Sequence, residues 1–169
     1  SNYKSVVFHC LNKFVKYLDI SSNQITDKGL EAIAELLNLN YLTYLNVSNN
    51  SITHAAIGFL AESLKVNTSL LELHLSQNSS IGAKGAAVLM QALERNITLT
   101  RLSLDQINLT NDGMTQISEF LIKNIALAIL NLGSNSLTDE SALTLCKIIG
   151  ENHFLSCILV NTNGSITAK

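Results

Sequence analysis

Residues 42–50 read LTYLNVSNN, and residues 15–23 read VKYLDISSN. Both follow the nine-residue frame L-x-x-L-x-L-x-x-N, with Val15 in place of the first leucine. The frame recurs along the chain, and its first position falls near residues 15, 42, 70, 99, 127 and 155. Because these starts are separated by nearly equal steps of 27 to 29 residues, the sequence predicts a series of stacked repeats.

A helical pattern follows each frame. Apolar residues recur at i, i+3 and i+7, as in Leu30, Ile33 and Leu37, and this spacing lines one face of a helix. A threonine before the pattern predicts an N-cap in most repeats, and a following asparagine predicts a left-handed helix end. The predicted caps are Thr26, Thr53, Thr110, Thr138 and Thr167, with Gly82 in the third repeat, and the predicted helix ends are Asn40, Asn67, Asn96, Asn124 and Asn152.

The two halves of a repeat predict the architecture. A short strand and one helix cannot bury their apolar faces alone, so neighbouring repeats must stack and share a core. Frame positions 1, 4 and 6 are expected to point into that core, and the asparagine at position 9 to bond backbone groups of the turn. Ile107 replaces that asparagine in the fourth repeat, which therefore needs another way to satisfy its backbone.

The frame resembles the leucine-rich repeat, and a repeat of about 28 residues with a full helix resembles the ribonuclease-inhibitor-like subclass. The subclass tail G-x-x-x-[LI]-x-x-x-L occurs at residues 29–37 and 113–121, but Ala56 and Ser141 replace its glycine elsewhere. The resemblance implies an α/β fold: a curved leucine-rich-repeat solenoid with parallel strands on the concave face and helices on the convex face. It also implies binding of another protein, without a cofactor.

The resemblance covers essentially the whole chain. We therefore expect one leucine-rich-repeat domain over residues 1–169, beginning with a partial N-terminal helix at residues 3–14. The chain stops where a sixth helix is expected to start, and no polar capping module is evident. We expect it to be a fragment of a longer protein.

Partner contacts are expected on the concave face, which we define as frame positions 3, 5 and 7, because these alternate with the core positions. Position 3 carries Tyr17, Tyr44, Glu72, Arg101, Ile129 and Cys157; position 5 carries Asp19, Asn46, His74, Ser103, Asn131 and Leu159; position 7 carries Ser21, Ser48, Ser76, Asp105, Gly133 and Asn161. The predicted partner contacts are Tyr17, Asp19, Tyr44, Asn46, Glu72, His74, Arg101, Ser103, Asp105 and Ile129.

Each of three groups of residues on this face has two interpretations. Adjacent tyrosines at 17 and 44 form either a binding hot spot, which we favour, or a stacked cross-strand pair. Glu72 and Arg101 either form an exposed ion pair with each other, which we favour, or Arg101 is an anchor for a partner. The apolar end formed by Ile129, Cys157 and Leu159 is either a contact patch or a surface covered by residues outside the chain.

Catalysis is not expected, because no catalytic constellation is in reach. His74 and Ser103 fall on adjacent strands, but Asp19 lies two strands from the histidine, about 10 Å away. Cys10, Cys146 and Cys157 are odd in number and far apart, and Cys146 is expected to face the core beside Leu145 and Ile149. This pattern predicts neither a disulfide framework nor a zinc site, and it suggests a reducing, cytoplasmic compartment.

The composition of the chain excludes some classes of partner. A net charge of −2, a pI near 6.0 and the absence of a basic run argue against nucleic acid, and no apolar stretch is long enough to span a membrane. We expect no small-molecule substrate and a monomer apart from its partner. With no proline or tryptophan and few cysteines, the chain resembles effectors that intracellular bacterial pathogens secrete into the host cytosol to bind or inhibit a protein. The alternative is the GTPase-activating or binding arm of a larger enzyme, or of an immune-receptor-type protein.

Overall fold

The computed structural model describes residues 13–163, so residues 3–12 of the predicted N-terminal helix and the predicted cap Thr167 lie outside the described part. Within this range, six three-residue strands alternate with five helices. In chain order the elements are β1 (Tyr17–Asp19), α1 (Asp27–Leu37), β2 (Tyr44–Asn46), α2 (His54–Val66), β3 (Glu72–His74), α3 (Gly82–Leu93), β4 (Arg101–Ser103), α4 (Thr110–Lys123), β5 (Ile129–Asn131), α5 (Asp139–Glu151) and β6 (Cys157–Leu159).

The strands form one parallel sheet whose order, β1 to β6, follows the chain. Frame positions pair with equal positions, so that Tyr17 lies opposite Tyr44 and Leu18 opposite Leu45. Consecutive helices pack against each other, so α2, α3 and α4 each lie between two helices of the described part. The predicted leucine-rich-repeat solenoid is confirmed.

The core is built from frame positions 1, 4 and 6 and from the inner face of each helix. In the second repeat, Leu42, Leu45 and Val47 are all buried, and burying each such side chain stabilises the fold by about 1.5–3 kcal/mol. The first repeat is less enclosed, and Val15 remains 42% exposed. Burial is greatest in the central repeats because repeats lie on both sides of them.

The asparagine ladder predicted at frame position 9 is present. Asn78 shows its geometry: Nδ2 donates to the carbonyl oxygens of Val47 at 3.1 Å and Leu75 at 2.9 Å. Its Oδ1 accepts the N–H groups of Asn50 at 3.2 Å and Ile52 at 3.3 Å. One carboxamide therefore satisfies backbone groups of two consecutive repeats in a dry interior.

At the gap in this ladder, the Ile107 N–H donates to Asn135 Oδ1 at 3.0 Å, and backbone bonds join the third repeat to the fourth. The Ile81 N–H donates to the carbonyl oxygen of Asn78 at 3.0 Å, and the Gly82 N–H donates to that of Ile107 at 2.9 Å. Gly82 has a φ of 57°, a left-handed conformation that glycine adopts without steric cost. Gly82 thus joins the third repeat to the fourth, and Asn135 supplies the acceptor that the turn of the fourth repeat needs.

A second asparagine ladder was not predicted. Asn67, Asn124 and Asn152 are C-caps with negative φ, so the predicted left-handed helix end is wrong for them, whereas Asn40 has a φ of 55°. The physical reason is that the asparagine side chain, rather than a left-handed backbone, bonds the backbone groups at the helix end. In Asn67, Nδ2 donates to the carbonyl oxygen of Leu37 at 2.7 Å, and Oδ1 accepts from the Leu70 N–H at 2.8 Å.

Three of the predicted threonine N-caps, Thr26, Thr53 and Thr138, are confirmed in position. Only Thr53 caps through its side chain, accepting from the N–H of Ala55 at 3.2 Å. Thr26 and Thr138 occupy N-cap positions without such a bond, and Thr110 lies inside α4 with a φ of 63°. These hydroxyls are free to bond the neighbouring repeat instead: that of Thr138 accepts from Asn111 Nδ2 at 2.7 Å.

The core orientation predicted for the last helix is also wrong in part. Cys146 is exposed and Ile149 is 65% exposed, while Ile148 is fully buried. In the preceding helices the residues equivalent to Cys146 are Met90 and Ser118, and both are buried against the next helix. No helix follows α5 in the described part of the chain, so this lateral face stays uncovered.

Candidate functional site

The register of the sheet brings the predicted contacts into rows. Tyr17, Tyr44, Glu72, Arg101 and Ile129 lie opposite one another across β1 to β5. A second row joins the position 5 side chains, and both rows lie on the sheet face opposite the core leucines. The second row contains Asp19, Asn46, His74, Ser103, Asn131 and Leu159.

Three aromatic rings lie side by side at the first strands. The rings of Tyr17 and Tyr44 stack with centroids 3.9 Å apart and an interplanar angle of 9°, and the His74 ring follows at 5.0 Å and 38°. Burial, together with the neighbouring Tyr17 hydroxyl, raises the pKa of Tyr44 to about 12. The stacked pair is therefore observed, yet Tyr17 remains 60% exposed and still offers its ring to a partner.

Glu72 links the aromatic rings to the basic residue of the face. Its Oε1 lies 2.8 Å from Arg101 Nη1, which is the ion pair that the sequence predicts. Its Oε2 lies 3.6 Å from His74 Nε2, and this nitrogen is buried without a hydrogen-bond partner among the described residues. Since both charged side chains are partly exposed, the ion pair stabilises the fold by about 0–1 kcal/mol.

Asp19 is held by neutral donors. It accepts the Ser21 hydroxyl at 2.7 Å, the Ser21 N–H at 2.9 Å and Asn46 Nδ2 at 3.0 Å. The Ser21 bonds are the largest causes that lower the pKa of the Asp19 carboxyl. The carboxylate is therefore fixed in position and ionised at neutral pH.

Asp105 is held in a similar way at the other end of the site. It accepts hydrogen bonds from the hydroxyl of Ser76, from that of Ser103 at 3.5 Å, and from Asn131 Nδ2 at 3.0 Å. The donors come from β4, from β5 and from the turn after β3. Asp105 thus ties three neighbouring repeats together at the strand exits.

A recurring turn at position 5 was missed by sequence reasoning. The side-chain oxygens of Asp19, Asn46 and Asn131 each accept the N–H two residues further on. This bond defines an Asx turn, which Asp and Asn form readily. The signal was present as Asp or Asn at position 5 in three repeats. These side chains therefore have a structural role in addition to their predicted place in the contact set.

The apolar end of the face keeps both of its interpretations. Ile129 and Cys157 are half-buried, and Leu159 is 45% exposed.

The geometry of His74 and Ser103 does not support nucleophilic catalysis by this pair. The two residues are register partners, but the Ser103 hydroxyl is directed to Asp105 rather than to the imidazole. Within residues 13–163, no three His, Cys, Asp or Glu side chains are grouped as a metal ion would require. No helix in that range is long and apolar enough to cross a membrane.

Comparisons with known proteins agree with this geometry. One family model described as "Leucine Rich repeat" matches residues 11–34, 66–90 and 123–146, and another described as "Leucine Rich Repeat" matches residues 41–64. A solved structure named "Leiomodin-1 Actin-Binding Site 2 (ABS2)" is similar, with a TM-score of 0.70 and 20% identity over 88% of this chain and 86% of that one. A search of the curated proteins finds no match. The matched repeats together span more than half of the sequence and stack as one parallel sheet, so the chain belongs to the leucine-rich-repeat family.

Proposed function

We propose that this chain is a protein-binding module whose partner docks on the concave face, around Tyr17 and Tyr44. Leucine-rich-repeat domains generally mediate protein–protein interactions. The observation that supports this face most strongly is the 60% exposure of the Tyr17 ring, although it is stacked on Tyr44. A large ring already held in place loses little conformational entropy when a partner covers it.

The proposed contact surface extends from the tyrosines across the sheet to β5. Arg101 lies two strands beyond Tyr44, and tyrosine and arginine are the residue types that most often dominate binding energy. The full proposed set is Tyr17, Asp19, Tyr44, Asn46, Glu72, His74, Arg101, Ser103, Asp105 and Ile129. We take residues 1–169 as one domain of the ribonuclease-inhibitor-like subclass.

A finer proposal concerns the role of binding. The composition, with no proline or tryptophan, supports an effector of an intracellular bacterium that acts in the host cytosol. It would bind or inhibit a host protein, or another effector, without catalysis and as a monomer. The similar leiomodin structure carries an actin-binding site in its name, so actin is one partner to include in the test.

The test is partner capture with the wild type and two triple variants. The first, Tyr17→Ala/Tyr44→Ala/Arg101→Ala, removes the proposed anchors. The second, Phe59→Ala/Lys84→Ala/Val88→Ala, removes a ring, a cation and an apolar side chain that are exposed on the helices.

We expect the concave-face variant to lose at least tenfold in affinity for any captured protein and for purified actin if it binds, because its anchors are gone. The helix-face variant should bind the same proteins as tightly as the wild type. Circular dichroism must show both variants folded. A partner kept by the first variant and lost by the second would move the binding site to the helices and contradict the proposal.

A further inference from the structure

The concave face has more carboxylates than cations. Asp19, Glu72 and Asp105 contribute three negative charges, and Arg101 contributes the one positive charge that is independent of histidine protonation. The Arg101 guanidinium is already bound to Glu72 at 2.8 Å. Within residues 13–163, neither Asp19 nor Asp105 has a basic group within ion-pair distance.

Neutral donors fix both of these carboxylates without cancelling their charge. Serine and asparagine side chains hold Asp19 from β2 and from its own turn, and they hold Asp105 from three repeats. His74 contributes the smallest of the causes that lower the pKa of Asp19, and its ion-pair contact is with Glu72. The two carboxylates thus offer fixed negative charge to whatever covers the sheet.

An aromatic ring stands beside the first carboxylate. Tyr17 and Asp19 are two residues apart on the same face of β1, which places them about 7 Å apart. The face of an aromatic ring carries negative potential and attracts a cation within about 6 Å of its centre. A cation above the exposed Tyr17 ring therefore lies within reach of both the ring and the Asp19 carboxylate.

We propose that the concave face docks a basic segment of a protein, with one arginine or lysine side chain at Tyr17 and Asp19 and a second beside Asp105. This inference rests on the proposed function and specifies the chemistry of the partner. Three strand spacings and two residues of rise separate the carboxylates by about 16 Å. An extended segment of about five residues spans that distance, so both cations fit on one short stretch of chain.

The test measures binding of a fluorescent oligoarginine peptide by anisotropy, with an oligocitrulline peptide of equal length as the uncharged analogue. Three variants are compared with the wild type. Asp19→Asn/Asp105→Asn removes the two carboxylates, and Tyr17→Ala removes the ring. Glu119→Gln/Glu151→Gln makes the same change in net charge on exposed positions of α4 and α5.

We expect the wild type to bind oligoarginine in preference to oligocitrulline. The aspartate variant should bind oligoarginine about tenfold more weakly, and Tyr17→Ala several-fold more weakly, because each loses a direct contact with a cation. The glutamate variant should stay within about twofold of the wild type, since surface charges at that distance are screened by salt.

Equal weakening in the aspartate and glutamate variants would show that only net charge acts, and would overturn the inference. Failure of the wild type to prefer oligoarginine would overturn it as well. A captured partner that needs Tyr17 and Tyr44 but binds equally to Asp19→Asn/Asp105→Asn would leave the proposed function standing without a basic segment.

Discussion

Replacing Asn78 by leucine is expected to lower the free energy of unfolding by about 3–5 kcal/mol. Asn78 is 1% exposed, and its carboxamide bonds backbone groups of its own repeat and of the preceding one. Leucine has a similar size but neither donates nor accepts a hydrogen bond. The buried N–H of Ile52 and the partly buried N–H of Asn50 would then lose their acceptor.

The matched control is Asn23→Leu, at the same frame position in the first repeat. Asn23 is exposed, and among the described residues its side chain bonds only the carbonyl oxygens of Ile20 and Ser21 in its own repeat. Water can replace those bonds, so we expect a loss below about 1 kcal/mol. Urea unfolding followed by circular dichroism measures both variants. If the free energy of unfolding fell by similar amounts in both variants, the asparagine bonds between repeats would not be the source of the predicted stabilisation.

Replacing Gly113 by alanine is expected to lower the free energy of unfolding by about 1–3 kcal/mol. Gly113 lies in α4, where the helix packs against α3. An added Cβ would lie 2.8 Å from the Cβ of Ala83 and 2.8 Å from Leu109 Cδ1. The Ala83 Cβ cannot rotate away, so the two helices must separate and loosen the core around them.

Gly58→Ala in α2 is the control for this prediction. Apart from the adjoining backbone of its own helix and its two chain neighbours, no atom lies within 4 Å of the Cβ that alanine would add there. Alanine favours the helix over glycine by about 1 kcal/mol, so this variant should be more stable than the wild type. Thermal unfolding of the two variants should therefore give melting temperatures that shift in opposite directions. Stabilisation by both would contradict the close contact of α3 and α4.

The periodic features of the fold could be predicted from the sequence because each is repeated several times. Leucines at frame positions 1, 4 and 6 predicted the core, and the constant step predicted the rows of the concave face. The stack of Tyr17 on Tyr44 and the contact of Glu72 with Arg101 follow from that register alone. Similarity between repeats is thus enough to determine which side chains are neighbours.

Features that depend on a neighbouring repeat, or on backbone conformation, could not be predicted. Cys146 and Leu145 are adjacent in sequence, and only the absence of a following helix in the described part explains why Cys146 is exposed and Leu145 is buried. Position 8 has positive φ in all six frames, although none carries glycine there. These residues are Ser22, Asn49, Gln77, Gln106, Ser134 and Thr162. Their side chains gave no common signal for that conformation.

The central claim is that a partner covers the concave face, and hydroxyl-radical footprinting of the complex with a captured partner tests it most directly. The oxidation of Tyr17 and Tyr44 is compared with that of Phe59, which is 47% exposed on α2 and serves as an internal reference. We predict that binding slows oxidation of Tyr17 and leaves Phe59 unchanged, because the partner covers the sheet and not the helices. Protection of Phe59 with no change at Tyr17 would contradict the account.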